Sequence, residues 1–198
     1  MADAVHSSAL DQLFRSARSY TKWSDTPVDE RVIREIYELL KWGPTSGNCC
    51  PARFVWVRSS GGKSLLASLA MEMNRPKILG APLTVIVGHD LGFPDTLPKL
   101  LPAPRAEAMR QVFQDPHLAE VTAMRNGTLQ GAYLIIAARA LGLDCGPMSG
   151  FDNAGVDQAF FAGTRIRSNF ICSLGFGMPS SAYPRNPRLT FEESGQFA

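Results

Sequence analysis

From His117 to Leu141 the chain runs for twenty-five residues without a proline, and Gly142 follows as a stop signal. At about 1.5 Å per residue, a helix of this length reaches roughly 37 Å, more than the radius of a small domain. Its apolar residues come almost all the way round near the C-terminal end, so it has to lie buried at the centre of something. Ala123, Gly127 and Gly131 sit four residues apart on one face, where another backbone can approach closely. Two readings of that face stay open at this level: tight packing within one chain, or contact across a dimer interface.

The other segments are shorter. Ser8 to Tyr20 reads as a first helix, with Leu10, Leu13, Phe14 and Ala17 at helical spacing. Asp29 is an N-cap for a second helix, whose stripe is Val32, Ile33, Ile36, Leu39 and Leu40 and which stops at Gly43-Pro44. The stretch onward to Pro51 is loop by composition. Phe54–Val57, Leu83–Val87 and Asn169–Leu174 read as strands, and a strand-like run precedes Ser149. Lys63–Glu72 and Asp152–Phe161 read as helices. Prolines crowd Asp90–Arg105, which predicts a weakly structured excursion and a candidate lid. The tail from Pro179 shows no clear element before Phe191. Long helices alternating with a few strands give an α+β fold with a central sheet.

Hydrophobic residues make up 45% of the 198 and charged residues 19%, enough apolar material for a core and too much for a disordered chain. No repeat or linker divides the sequence, so residues 1–198 are expected to form a single domain. The formal net charge is +2 with the basic residues scattered, which argues against nucleic acid as a partner. The most apolar stretch, Ala132–Leu143, is interrupted by Arg139 and is too short to span a bilayer. Met1–Leu10 carries Asp3 and His6 and lacks the form of a secretory leader. Cys49, Cys50, Cys145 and Cys172 form no C-x-x-C pair, which favours reduced, inert thiols in a cytoplasmic protein.

Several catalytic motifs fail on inspection. Gly62-Lys63-Ser64 resembles the end of a phosphate loop, but its first glycine would have to be Val57. Gly175-Phe176-Gly177 follows a strand, yet Ser180 occupies the third glycine position and Pro179 and Pro184 block the helix that should follow. In Gly146-Pro147-Met148-Ser149-Gly150 the serine comes one place late for a nucleophile elbow. His6, His89 and His117 are far apart, with no partners at metal-ligand spacing. No side-chain nucleophile or metal cluster emerges, so in an enzyme a cofactor would carry the difficult step.

What remains is polar and basic. Arg18 and Lys22 flank the end of the first helix and face one anion if that helix continues. Taken alone they are ordinary solvated charges. Pro44, Thr45, Ser46 and Asn48 lie in the Gly/Pro-rich loop. Asn74 and Lys77 follow the third helix, Ser149 and Gly150 follow a strand-like run, and Arg185 and Arg188 lie in the tail.

These positions resemble the nitroreductase family across nearly the whole chain. Arg18…Lys22 resembles its N-terminal flavin motif, and Pro44-Thr45-Ser46-Gly47-Asn48 its P-S/T-S-x-N loop. Asn74-Arg75-Pro76-Lys77 is similar to its N-x-x-K step, and Gly142-Leu143-Asp144 with Pro147–Asp152 to its G-L-x…P-x-x-G-F-D segment. The resemblance is nearest to the branch that reduces malonic semialdehyde in pyrimidine degradation. Lys41–Ser46, Arg125-Asn126, Ala132–Ala137 and Leu189–Glu193 are similar to that branch.

The resemblance implies a mostly antiparallel central sheet flanked by helices and a homodimer with the long helix at its interface. It also implies FMN, with NADH or NADPH as hydride donor and a small aldehyde as substrate. In that scheme Arg18, Lys22 and Arg188 hold the phosphate and flavin edge, and Arg185 is a further candidate for cofactor binding. Asn74 and Lys77 bond the pyrimidine edge, and Ser149 and Gly150 offer backbone contacts. Pro44, Thr45, Ser46 and Asn48 approach from the partner subunit. No side chain is catalytic, because FMN carries the hydride. A broad nitro or quinone reductase, or a non-catalytic FMN-binding module, are the alternatives. Two departures stand out: Cys50-Pro51-Ala52 replaces the common Gln-Pro-Trp, and Ser149 stands where the family has an acidic residue.

Overall fold

A computed structural model describes residues 3–198. Four strands, β1 (Ala52–Val57), β2 (Leu83–Asp90), β3 (Asp144–Met148) and β4 (Ile166–Gly175), form one antiparallel sheet in the order β1-β2-β4-β3. Two apolar layers cover it. The period-two alternation of strands sends Val85 and Val87 to one face and Ile86 to the other. On the first face they meet Ile33, Ile36 and Leu40 of α1 (Glu30–Leu40) and Leu134 and Ala138 of α5 (Pro116–Ala140). On the second face lie α2 (Ser60–Ser68), α3 (Arg75–Gly80) and α6 (Asn153–Phe160), which supply Leu66, Ile78 and Val156. The uninterrupted apolar run of β2 is therefore what a strand covered on both sides requires.

The long helix forms nearly where the sequence places it. Asp115 caps it by accepting from the His117 and Leu118 N–H groups, and Pro116 occupies the first turn, where its missing N–H costs nothing. Gly142, at φ +81°, ends it in the left-handed conformation that glycine adopts without strain. The glycine face packs within the chain. A Cβ on Gly131 would lie 2.4 Å from the Phe170 ring, and one on Gly127 would lie 2.8 Å from His89 Cβ. On other faces of the same helix Leu118, Met124 and Leu129 remain exposed.

Two expectations are overturned. The first helix does not reach Tyr20: one α-turn (Ser7–Leu10) widens into a π-turn (Asp11–Arg15), and helical structure ends at Ser16. Ser19 then bridges Cys145 of β3, and Trp23 bridges Gly177. The open edge of β3 presents unpaired backbone groups, and pairing them outweighs continuing a short helix whose Leu10 and Phe14 stay exposed.

The excursion after Asp90 is also ordered, with turns at Phe93–Thr96 and Leu97–Leu100 and helix α4 (Ala103–Val112). Pro94, Pro98 and Pro104 sit in first turns and Pro102 at an N-cap, so they start helices rather than prevent them. Phe93 and Leu97 are fully buried in a satellite core with Cys49, Ala106 and Ala123, and the Phe93 and Phe113 rings meet edge to face at 4.8 Å. The helix expected at Lys63–Glu72 starts and ends earlier. Ser59 caps it, and Ala70 leaves the helix to bridge Phe151.

Candidate functional site

Four arginines from three parts of the chain converge beside the start of β3. Arg18 comes from the N-terminal segment, Arg139 from the last turn of α5, and Arg185 and Arg188 from the tail. Together with Phe14 and Tyr183 they line a cleft of about 410 Å³. Each donates to a backbone carbonyl. Arg18 reaches Tyr183 O, and Arg139 Nη1 reaches Leu13 O at 2.8 Å. Arg185 Nη2 reaches Arg15 O and Ala17 O at 2.8 and 3.0 Å, and Arg188 Nη1 reaches Asn186 O and Pro187 O, both at 3.0 Å. None of the four takes part in an ion pair among the described residues. Arg139 Nε is buried and has no acceptor. A cleft of unneutralised guanidinium groups suits an oxyanion with several acceptor oxygens, a phosphate above all.

At the other end of β3 a second cluster forms. Asn74, 6% exposed, donates from Nδ2 to Gly150 O at 3.0 Å and accepts from Lys77 Nζ at 3.0 Å through Oδ1. Met71 N–H donates to the same carbonyl at 3.0 Å. These bonds fix which way the amide faces, leaving a second amide N–H and two ammonium N–H groups for a ligand. A Cβ on Gly150 would lie 2.8 Å from Asn74 Nδ2, so glycine is what lets the two segments close. Ser149 is exposed beside it. From Cys145, where Ser19 pairs, to Gly150 is five residues, roughly 17 Å at strand rise.

The Gly43–Cys50 loop lies at the opposite edge and leads into β1. Three inter-strand steps separate that edge from β3, about 14 Å at ordinary strand spacing. Polar side chains of α5 hold the loop. Asn126 Oδ1 accepts from Ser46 N–H at 2.8 Å, Gln130 Oε1 accepts from Ala52 N–H at 2.9 Å, and Tyr133 Oη donates to Pro44 O at 2.9 Å. The backbone is left-handed at Gly47 (φ +56°), Asn48 (+57°) and Cys50 (+39°). Such conformations are costly outside glycine and gather at functional loops. Asn48 Nδ2 reaches Leu100 O at 3.2 Å, and Thr45 Oγ1 accepts from Cys50 N–H at 3.2 Å.

Arg18, Arg185 and Arg188 are thus brought together, as are Asn74, Lys77, Ser149 and Gly150. Pro44, Thr45, Ser46 and Asn48 are not brought to either group within one chain. Lys22 does not join the arginines. Its segment is a non-helical bend, and its backbone is tied to Met178 and Ser181. Sequence reading missed Arg139, Asn126, Gln130 and Tyr133. Asn126, Gln130 and Tyr133 share one face at i, i+4 and i+7, but the same helix carries Glu120, Arg125 and Thr128, so the spacing alone does not single them out.

A larger cleft, about 530 Å³ between α1 and β1, has its charges already matched, since Arg34 and Arg58 both meet Glu30. Burial pushes the Cys49 thiol up to about 11, and the hydrogen bond with Cys145 together with full burial pushes Cys172 well above the usual thiol range. Burial also raises the Asp144 carboxyl above its ordinary value, against the lowering effects of the Gly177 N–H and of Arg139.

Residues 14–177 match the profile of the Nitroreductase family. A protein from Caulobacter sp. (strain K31), described as a candidate NADH dehydrogenase/NAD(P)H nitroreductase, is 58% identical over 192 residues, covering 97% of each chain. A Xanthomonas oryzae pv. oryzae protein of the same description is 54% identical over the full length of both chains. Among solved structures, a nitroreductase-type protein from Exiguobacterium sibiricum 255-15, crystallised with FMN, superimposes with a TM-score of 0.87 over all of both chains at 20% identity.

Proposed function

Because this chain belongs to the Nitroreductase family, we propose that it is an FMN-dependent NAD(P)H oxidoreductase. We propose further that it is a cytoplasmic homodimer of one domain per chain that reduces malonic semialdehyde to 3-hydroxypropanoate. The observation that carries the reading is the layout of the β3 edge: an unneutralised arginine cleft at one end and a fixed amide–ammonium pair at the other, spaced for an elongated anionic cofactor. The residues fit FMN. Arg18, Arg185 and Arg188 have N–H groups to offer a phosphate, and the orphaned Arg139 Nε shows that the cleft's own carbonyls do not satisfy it. The NAD(P)H named for the relatives supports the donor, and the segments shared with the malonic semialdehyde branch support the substrate.

Bound FMN supplies reversible two-electron chemistry between the nicotinamide donor and the aldehyde. The chain's own groups bind and orient. The arginines anchor the phosphate, and Lys77 places a positive charge beside the Asn74 amide, favouring negative charge on whatever ring edge meets it. The loop Pro44–Asn48 stands about 14 Å from the β3 edge in the same chain, and in this reading the loop of a second copy meets the site. Exposed Tyr183, Leu189, Phe191 and Phe197 in the tail, and Leu118, Met124 and Leu129 on α5, are apolar surface that such a partner would cover.

The test is direct. Purified protein is expected to be yellow, to bleach with NADH or NADPH, and to recover its colour with malonic semialdehyde. A colourless protein that takes up no FMN would sink the proposal. Equal or higher kcat/KM on nitroaromatics would replace the aldehyde with the broad-reductase alternative.

A further inference from the structure

Arg139 is the one member of the arginine cleft that comes from a core helix rather than from a terminal segment. A cation in the last turn of α5 suits the helix dipole, but that does not explain its orientation. Nη1 donates to Leu13 O at 2.8 Å, while Nε is buried with no acceptor. A buried, unsatisfied guanidinium N–H is costly and seldom kept without a use. Asp144 is near enough for Arg139 to favour its charged form, but it accepts from Gly177 N–H at 2.9 Å and makes no ion pair with Arg139 among the described residues. Three more guanidinium groups line the same 410 Å³, with no carboxylate among the lining residues. Charges of one sign confined in this way repel one another until an anion enters.

We infer that Arg139 is a further cation of the phosphate site, and that it makes the cleft select a flavin ending in a dianionic phosphate monoester over uncharged riboflavin. The inference rests on the flavin reading given above. Arg139 acts on affinity and choice of ligand, not on electron transfer.

The competing explanation is that Arg139 only braces the N-terminal segment, through Leu13 O and through Gln12 Nε2, which donates to Arg139 O at 2.7 Å. The two separate in a binding experiment with Arg139→Met and Arg139→Lys. Dissociation constants for FMN and riboflavin are read by flavin fluorescence quenching, and inorganic phosphate is titrated into flavin-free protein while Tm is followed. Arg139→Met is expected to weaken FMN roughly 10- to 100-fold and riboflavin less than about 2-fold, the scale of a lost charged hydrogen bond. It is also expected to lose the rise in Tm that phosphate gives the unsubstituted protein, with Arg139→Lys intermediate. Equal losses for both flavins, or an unchanged FMN-to-riboflavin ratio, would overturn the inference in favour of the brace. If Arg139→Met does not fold, the same ratio in Arg139→Lys decides. Stabilisation by phosphate that Arg139→Met loses supports the site even in a protein that binds no flavin; that result would instead defeat the function proposed above.

Discussion

Along the β3 edge four guanidinium groups face one cleft with no carboxylate between them, whereas along the β1 edge the cations are neutralised. Arg53 meets Asp90 at 2.8 Å, Lys41 pairs with Glu38, and Arg34 and Arg58 share Glu30. The β1 edge is distinctive in its backbone instead. Three of the four residues from Gly47 to Cys50 are left-handed, pinned by neutral side chains of α5. One edge is built to receive charge, and the other to hold a shape. The sheet keeps them on opposite edges of one chain. The larger cleft belongs to the neutralised edge, which shows that charge pairing rather than volume separates the two.

The strongest way to break this contrast is Arg18→Ala. It is expected to weaken FMN binding by about 1.5–3 kcal/mol, read by fluorescence quenching. Affinity unchanged within error would leave the β3 edge with no special claim.

Next is Gly131→Ala, which tests whether α5 sits against the sheet as closely as both edges require. The new Cβ would stand 2.4 Å from the Phe170 ring, and overpacking of this kind costs about 1–3 kcal/mol in chemical denaturation.

On the β1 edge, Asn126→Ala removes the acceptor of Ser46 N–H and the donor to Thr122 O, with an expected loss of about 1–2 kcal/mol. Greater protease sensitivity near Gly47 should accompany it. A variant as stable and as resistant as the parent would mean that the loop holds its shape unaided.

Smaller still is a pH effect. His89 is 5% exposed, its Nδ1 has no partner, and burial lowers its pKa below 6.5. The unfolded chain therefore takes the proton first. This contribution to stability is complete above pH 6.5 and declines as the pH falls toward the folded value, at no more than about 1.4 kcal/mol per pH unit. His89→Gln should flatten that part of a stability profile.

The last involves no stability change. Cys49, Cys145 and Cys172 are fully buried and Cys50 is half-buried, so a thiol reagent should label Cys50 alone before unfolding. Labelling of a second native thiol would show the β1 loop to be looser than its hydrogen bonds suggest.

Much of the architecture was legible because its signals are local. Asp29, Asp115 and Asp152 cap helices through their own side chains; Asp29 is the expected cap, and the other two helices begin within one residue of where the sequence places them. Gly142 ends the long helix by a property of glycine itself. The misreadings share a cause. Leu10, Leu13, Phe14 and Ala17 have helical spacing, but the free edge of β3, more than a hundred residues away, competes for the segment that follows. The prolines after Asp90 look like breakers until it is known that Pro94, Pro98 and Pro104 fall in first turns and Pro102 stands at an N-cap, with Phe93 and Leu97 buried behind them.

The site divides in the same way. Arg18, Asn74, Lys77, Gly150 and the Pro44–Asn48 loop could be named as candidates through the motifs that resemble the family. Arg139, Asn126 and Gln130 could not be assigned a role, because a polar residue on a helix gains one only from what the tertiary fold sets opposite it.

The chain's local patterns alone set a helix of about 37 Å, a strand covered on both faces, and which polar segments accompany them, since propensity, period and capping act within a few residues; the all-round burial expected of the helix does not occur, because Leu118, Met124 and Leu129 stay exposed. Packing at long range set the rest: which face of that helix meets the sheet, the four arginines that share one cleft with no ion-pair partner among the described residues, and the place of the loop after Gly43 on the far edge from them. Those are outcomes of pairing and packing between residues distant in the chain, and no local pattern encodes which distant partner a strand edge or a guanidinium group will meet.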